Sequence, residues 1–254
     1  MTVFEKVFEN RLWIAPLGAC LLCGGCKPSD DSSLAPLEKP TVRIRPQNLR
    51  HDAPIKVPPR DTQAKPNLID LTPYYNVTLT ESWHSLATGL DNSLSALPRG
   101  LQNLGGIDFD VRGVIQIAGA QLRGGRFPSQ VKGIKIGRKC QRLHVLHGTG
   151  WQVQDLTRIG SYVLHYSDGS DAELNIIYGT DVRDWWFWPQ EPKESKEAVA
   201  AWTGKNPATE QQGMSLRLYR STRENPNPDL IVESIDFISS MSGSAPFLIA
   251  ITVE

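Results

Sequence analysis

From Ile107 onward, apolar side chains return at every second position: Ile107, Phe109, Val111, Ile115 and Ile117 alternate with Asp108, Asp110, Arg112 and Gln116. A period of two suits a pleated strand with one face on a core; a helix would repeat its apolar stripe every three or four residues. Gly113 interrupts the run and marks a bulge or a close approach. Shorter stretches over 133–136, 142–147, 216–219, 234–238 and 247–253 are also strand-like. In the last of these Phe247, Ile249, Ile251 and Val253 are expected on one inward face. Residues 161–167 and 172–178 form the clearest hairpin, because Asp168-Gly169 supplies the positive φ that tight hairpin turns require. One short helix is predicted over 193–202, opened by Pro192 and closed by Gly204. The expectation is a mostly β chain, an antiparallel β-sandwich with one short helix.

The first quarter of the 254 residues has a different character. Lys6 and Arg11 precede an apolar run over 12–22, and small residues follow at Gly24 and Gly25, the layout of a signal peptide. The run falls short of the ~20 apolar residues that a bilayer core requires. Cys26 follows Gly24-Gly25 and resembles the lipid-accepting cysteine of bacterial lipoproteins. The C-x-x-C-x-x-C spacing of Cys20, Cys23 and Cys26 could also be read as a metal site, but the apolar leader offers that ion no further ligands. With lipidation at Cys26, Cys140 is the remaining thiol and reads as a packed apolar residue. Residues 27–66 hold eight of the 18 prolines and no apolar period, as expected of a disordered, extended tether. The organisation expected is therefore a leader at 1–26, a tether at 27–66 and a β-sandwich domain at 67–254, in an exported protein anchored to the cell envelope by lipid.

A resemblance enters at the hairpin. The stretch Ile159-Gly-Ser-Tyr-Val-Leu-His-Tyr-Ser-Asp-Gly169 with Tyr178-Gly-Thr-Asp-Val-Arg-Asp-Trp-Trp186 is similar to a recurring part of bacterial accessory β-sandwich domains of the galactose-binding-like, carbohydrate-binding-module type. Glu224-Asn-Pro-Asn-Pro228, Glu233-Ser-Ile-Asp-Phe237 and Ala250-Ile-Thr252 resemble the closing part of those domains. The resemblance covers roughly 68–254 and implies a jelly-roll sandwich. It speaks for fold more than for function, since such sandwiches host sugar binding, protein contacts and structural roles.

The candidate binding residues follow from chemistry. Arg183 and Asp184 precede Trp185-Trp186-Phe187-Trp188, so one loop offers aromatic faces for the C–H faces of a sugar and planar groups for its hydroxyls. A tryptophan lid closing one end of the sandwich would use the same residues. Trp83, with His84 and the preceding Tyr74-Tyr75 pair, is a candidate second wall or a buried anchor. Asp108 and Asp110 share a strand face with Cα atoms about 6.5–7 Å apart, a spacing that glycosidase pairs use. Side by side with Arg112, however, they read as a solvated ion-pair row. His144 and His147, three apart on a strand, point to opposite faces and cannot chelate one ion together. Ser129 and Lys132 match S-x-x-K, which requires a helix that this strand-like segment lacks. No nucleophile elbow, zinc-protease helix, phosphate loop or dinucleotide fingerprint occurs.

Twenty-seven basic residues against 27 acidic ones remove the electrostatic footprint of a nucleic-acid binder. No cofactor and no metal are expected. The leading expectation is a non-catalytic envelope module that binds carbohydrate or another envelope ligand. A structural or protein-interaction module docking a protein partner, such as an envelope protein, comes second and a hydrolase third.

Overall fold

The computed structural model describes residues 55–84, 89–122, 125–192 and 195–254. The leader, Cys26 and the tether up to residue 54 lie outside the described residues. The strands are β1 (Val77–Thr78), β2 (Gly100–Leu104), β3 (Ile107–Val111), β4 (Gly113–Gln116), β5 (Gln130–Arg138), β6 (Arg142–Gly150), β7 (Arg158–Tyr166), β8 (Asp171–Ile177), β9 (Trp186–Phe187), β10 (Val199–Gly204), β11 (Ser215–Glu224), β12 (Val232–Ser239) and β13 (Ala245–Val253). A single helix, α1 (Pro207–Gln211), lies between β10 and β11. The domain is mostly β and its named strands pair antiparallel, as the alternation predicts.

The larger sheet runs β1-β4-β13-β6-β11-β10, with β9 also paired to β11, and the smaller runs β5-β12-β7-β8. The β7–β8 hairpin turns at Gly169, whose φ is 84°. Asp168 accepts hydrogen bonds from the backbone N–H and hydroxyl of Ser170, which fixes the turn. Ile134, Ile159, Tyr162, Leu164, Ile235 and Phe237 of the smaller sheet pack on Ile115, Val145, Tyr219, Leu248 and Ile251 of the larger. This is the interior of the sandwich.

The larger sheet is covered on its other face too. Val114, Leu146, Leu216, Leu218, Phe247 and Ile249 meet Leu79, Trp83, Leu94, Leu97, Phe127 and Trp185 from the connecting segments, together with Phe109 and Val111 of the separate β2–β3 ribbon. Strand β13 is consequently buried along its whole length. Its pairing with β6 shifts register between Leu248 and Ala250, a bulge that changes which face the side chains take. Phe247 and Ile249 enter the outer core whereas Ile251 and Val253 enter the inner one, so the four do not share the single inward face expected of them.

Two further expectations are corrected. Residues 199–204 form strand β10 and not a helix; the helix comes later, where Asn206 caps α1 and Pro207 opens it. The sequence there has propensity for a helix, but from Val199 to Gly204 pairing with β11 satisfies the backbone instead; residues 193–194 lie outside the described residues. Nor is the Asp108-Asp110-Arg112 row solvated as a whole. Asp110 and Arg112 are buried, because residues 58–70 lie across them, with Pro58 and Asp70 accepting from the Arg112 guanidinium. Ile55 and Val57, ahead of the expected domain start at 67, pack against the inner core. Gly113 makes the close approach foreseen: a Cβ there would stand 2.7 Å from the Tyr75 ring.

Candidate functional site

A cavity of about 220 Å³ opens at the edge of the outer core, lined by His84, Asn92, Gly150, Trp151, Asp184, Trp185, Trp186 and Met214. Four segments meet there. The end of β6 delivers Gly150 and Trp151. Residue 184 bridges in parallel to Thr149, and the Trp185 N–H donates to the Thr149 carbonyl, so the 184–187 segment is laid alongside β6 before entering β9. Residues 82–84 bring His84 and residues 89–93 bring Asn92. Helix α1 closes the set: its cap Asn206 donates to Asn92 Oδ1 and to the Ser93 carbonyl, and Met214 follows its last turn. Asn92 Oδ1 in turn accepts the Trp186 indole N–H at 3.1 Å, and its amide donates to the His84 carbonyl at 2.9 Å. The walls are thus fixed in place before any ligand arrives.

The aromatic groups are arranged around His84. The ring of Trp151 lies 4.7 Å from it and that of Trp185 5.4 Å, the latter nearly edge-on. Trp151 holds a left-handed backbone, φ 64°, an unfavourable conformation for a residue with a Cβ and one that tends to gather at binding sites. Gly150 beside it leaves room for the imidazole, since a Cβ at that position would stand 2.6 Å from His84 Cε1.

Gln116 decides the His84 tautomer. The Gln116 amide nitrogen donates to the carbonyls of Ile117 and Pro246, which turns its oxygen toward Trp83 and His84. That oxygen accepts the Trp83 indole N–H at 2.8 Å and lies 3.0 Å from His84 Nε2, so Nε2 carries the proton and Nδ1 the lone pair. Burial holds the His84 pKa down at about 3, and the ring is neutral at physiological pH.

Asp184 is the acid of the cavity. Its Oδ1 accepts from the Trp186 backbone N–H at 3.2 Å, and among the described residues it has no ion-pair partner. The neighbouring cation, Arg217, donates to the Asp184 backbone carbonyl and to the Pro192 carbonyl, pairs with Glu191 at 3.3 Å, and lies over the Phe187 ring. Burial pushes the Asp184 carboxyl up to about 7, partly opposed by the Trp186 N–H and by Arg217.

The residues singled out in the sequence therefore part company. Asp184, Trp185 and Trp186 line the cavity. Trp83 is buried behind Trp185 at 5.0 Å between ring centroids, a backing for the wall and not its surface. Arg183 turns away into a two-pronged contact with Asp155 and lies over the Tyr178 ring. Trp188 is 42% exposed and lies outside the lining. Tyr74 and Tyr75 form no wall: their hydroxyls donate to the carbonyls of Gly133 and Ile249. Asn92, Trp151 and Met214 were not foreseen. For Trp151 a signal existed, a tryptophan after Gly148-Thr149-Gly150 at the end of a strand; for Asn92 and Met214 there was none.

The remaining candidates are elsewhere. His144 contacts Thr222 and Glu254 while His147 contacts Tyr162 and Ser221, on opposite faces of β6. The His147–Ser221 contact of 2.8 Å resembles half of a nucleophilic dyad, but both side chains are buried and the Ser221 hydroxyl donates to the Asp181 carbonyl. Burial lowers the His147 pKa to about 4 and raises that of the buried Cys140 thiol, whose carbonyl is held by Asn225. Among the described residues no cluster of three or more His, Cys, Asp or Glu is disposed to hold a metal ion, and no helix is long and apolar enough to cross a membrane. The chain matches no protein-family model and no curated protein.

Proposed function

We propose that this is a non-catalytic binding module of the cell envelope, exported and lipid-anchored at Cys26, whose galactose-binding-like sandwich takes one ring of a carbohydrate in the cavity at Trp151, Trp185 and Trp186. The observation that carries the reading is the lining itself: three indoles with an acid, Asp184, and an amide, Asn92, at about 220 Å³. Indole faces suit the C–H faces of a sugar, and a carboxylate and an amide suit its hydroxyls. The volume is below the ~300–1,000 Å³ usual for drug-sized ligands, which favours a single ring or chain terminus. A concave aromatic site with polar edges favours a small ligand over a docked protein, which calls for a broad apolar patch. Asp184 is the one carboxylate of the lining, whereas glycoside hydrolysis uses two.

The test is a glycan-array and cell-wall-polysaccharide screen on the full chain, followed by titration of tryptophan fluorescence with Trp151→Ala and Trp186→Ala beside it. Saturable binding that Trp151→Ala abolishes with the far-UV circular dichroism unchanged supports the reading. Absence of binding to every glycan, with both variants folded, overturns it.

A further inference from the structure

The cavity combines three features that a neutral sugar does not require together. Its walls are rings: Trp151, Trp185, Trp186 and His84, with the polarisable Met214 thioether among them. Its acid, Asp184, is set among those rings without an ion pair among the described residues. And the described cations near it are already engaged. Arg217 is held by Glu191, Pro192 and the Asp184 backbone. Arg183 is held by Asp155, and Arg126, the charge that acts on His84, pairs with Glu81. No lysine or arginine is among the lining residues.

We infer that the site selects a ligand with a positively charged ammonium centre, seated among the indole faces and against the Asp184 carboxylate. The negative face of an indole attracts a cation, most strongly where water is excluded, and tryptophan is the best of the aromatic residues for this. The carboxylate adds the opposite charge at close range. A bound ammonium would give Asp184 the partner that the protein withholds, and so favour its ionised form. Glu191, paired with Arg217, adds negative potential at the same side. His84, neutral and proton-bearing on the Nε2 that faces Gln116, adds no opposing charge.

The inference rests on the binding reading above and sharpens it, because the ammonium can sit on a sugar or on a simple alkyl chain. Four probes separate the cases in titrations of the full chain at pH 8, read by tryptophan fluorescence and calorimetry. They are choline, its uncharged isostere 3,3-dimethylbutan-1-ol, N,N,N-trimethylglucosamine, and glucose. The expected result is that each cation binds at least tenfold more tightly than its neutral counterpart. Asp184→Asn, which keeps the acceptor for the Trp186 N–H, should remove most of that preference while the circular dichroism stays unchanged. Glucose binding as tightly as trimethylglucosamine overturns the inference and leaves the carbohydrate reading standing. Choline binding with both sugars rejected upholds the inference and removes the carbohydrate reading. Failure of all four probes overturns the inference, and the glycan screen then decides the other reading alone.

Discussion

Asp110 and Arg112 face each other across two residues of one strand path, both carboxylate oxygens 3.0 Å from the Arg112 Nε and each side chain only 2% exposed. A pair two residues apart in an alternating strand shares a face, and here that face is closed over by residues 58–70.

Removing one member leaves the other charged and buried. Asp110→Ala should cost about 3–5 kcal/mol, measured as a fall in the urea midpoint at unchanged m-value. Asp108→Ala, two residues earlier and with a half-exposed side chain, should cost less than about 1 kcal/mol. Equal effects would mean that the two carboxylates share one solvated environment.

One Gln116 amide joins Trp83 and His84 to the carbonyls of Ile117, Ala245 and Pro246. Gln116→Leu strands an indole N–H and an imidazole N–H in the outer core at about 1–3 kcal/mol each. Chemical denaturation should show a loss of several kcal/mol, and the near-ultraviolet tryptophan signal should change with it.

Gly148 is directly opposite Phe247, and a Cβ there would lie 2.4 Å from the Phe247 ring. Gly148→Ala should destabilise by about 1–3 kcal/mol through overpacking. Phe247→Leu in the Gly148→Ala background should recover part of the loss, seen as a non-zero coupling in the double-mutant cycle.

Asp184 makes stability depend on pH in an unusual direction for a carboxylate. Its folded pKa of about 7 exceeds the ordinary 3.8, so between those values the folded chain keeps a proton that the unfolded chain has lost. Stability should fall as pH rises through that interval, at up to roughly 1.4 kcal/mol per unit. Asp184→Asn should match the parent near pH 4 and exceed it at pH 8. A difference independent of pH, followed by urea unfolding at each pH, would contradict the assignment.

The histidines oppose this. His84 and His147 have folded pKa values of about 3 and about 4, below the ordinary 6.5, so their contribution is full above 6.5 and is lost as pH falls toward those values. His147→Gln should flatten the acid limb of the stability curve between pH 6.5 and 4 by roughly 1.4 kcal/mol per unit.

How much of this was written in the sequence differs from place to place. The β7–β8 hairpin was legible because Asp168-Gly169 specifies a local conformation. Alternation likewise gave β3, β4 and β13 as strands. It could not say that the polar face of β3 and β4 is covered, because Asp110 and Arg112 neutralise each other only when a distant segment lies over them. Nor did it show that β13 changes face at Ile249, since a bulge is imposed by the register of the neighbouring strand. At the site, the tryptophan-rich run pointed to the right loop. Period and composition could not sort its members, because Arg183 and Trp188 leave the cavity through contacts with Asp155 and with solvent.

The place of β13 has a consequence for how the domain comes into being. It lies between β4 and β6, yet β7 to β12 are all synthesised before it. Until Ala245–Val253 arrive, β4 and β6 are two unjoined edges, and neither the inner nor the outer core can close. A chain of this topology stays open until its final strand is available, and its pairings of high sequence separation make closure slow. A chain cut short before Ala245 should accordingly leave both cores open, however many of its other strands are present.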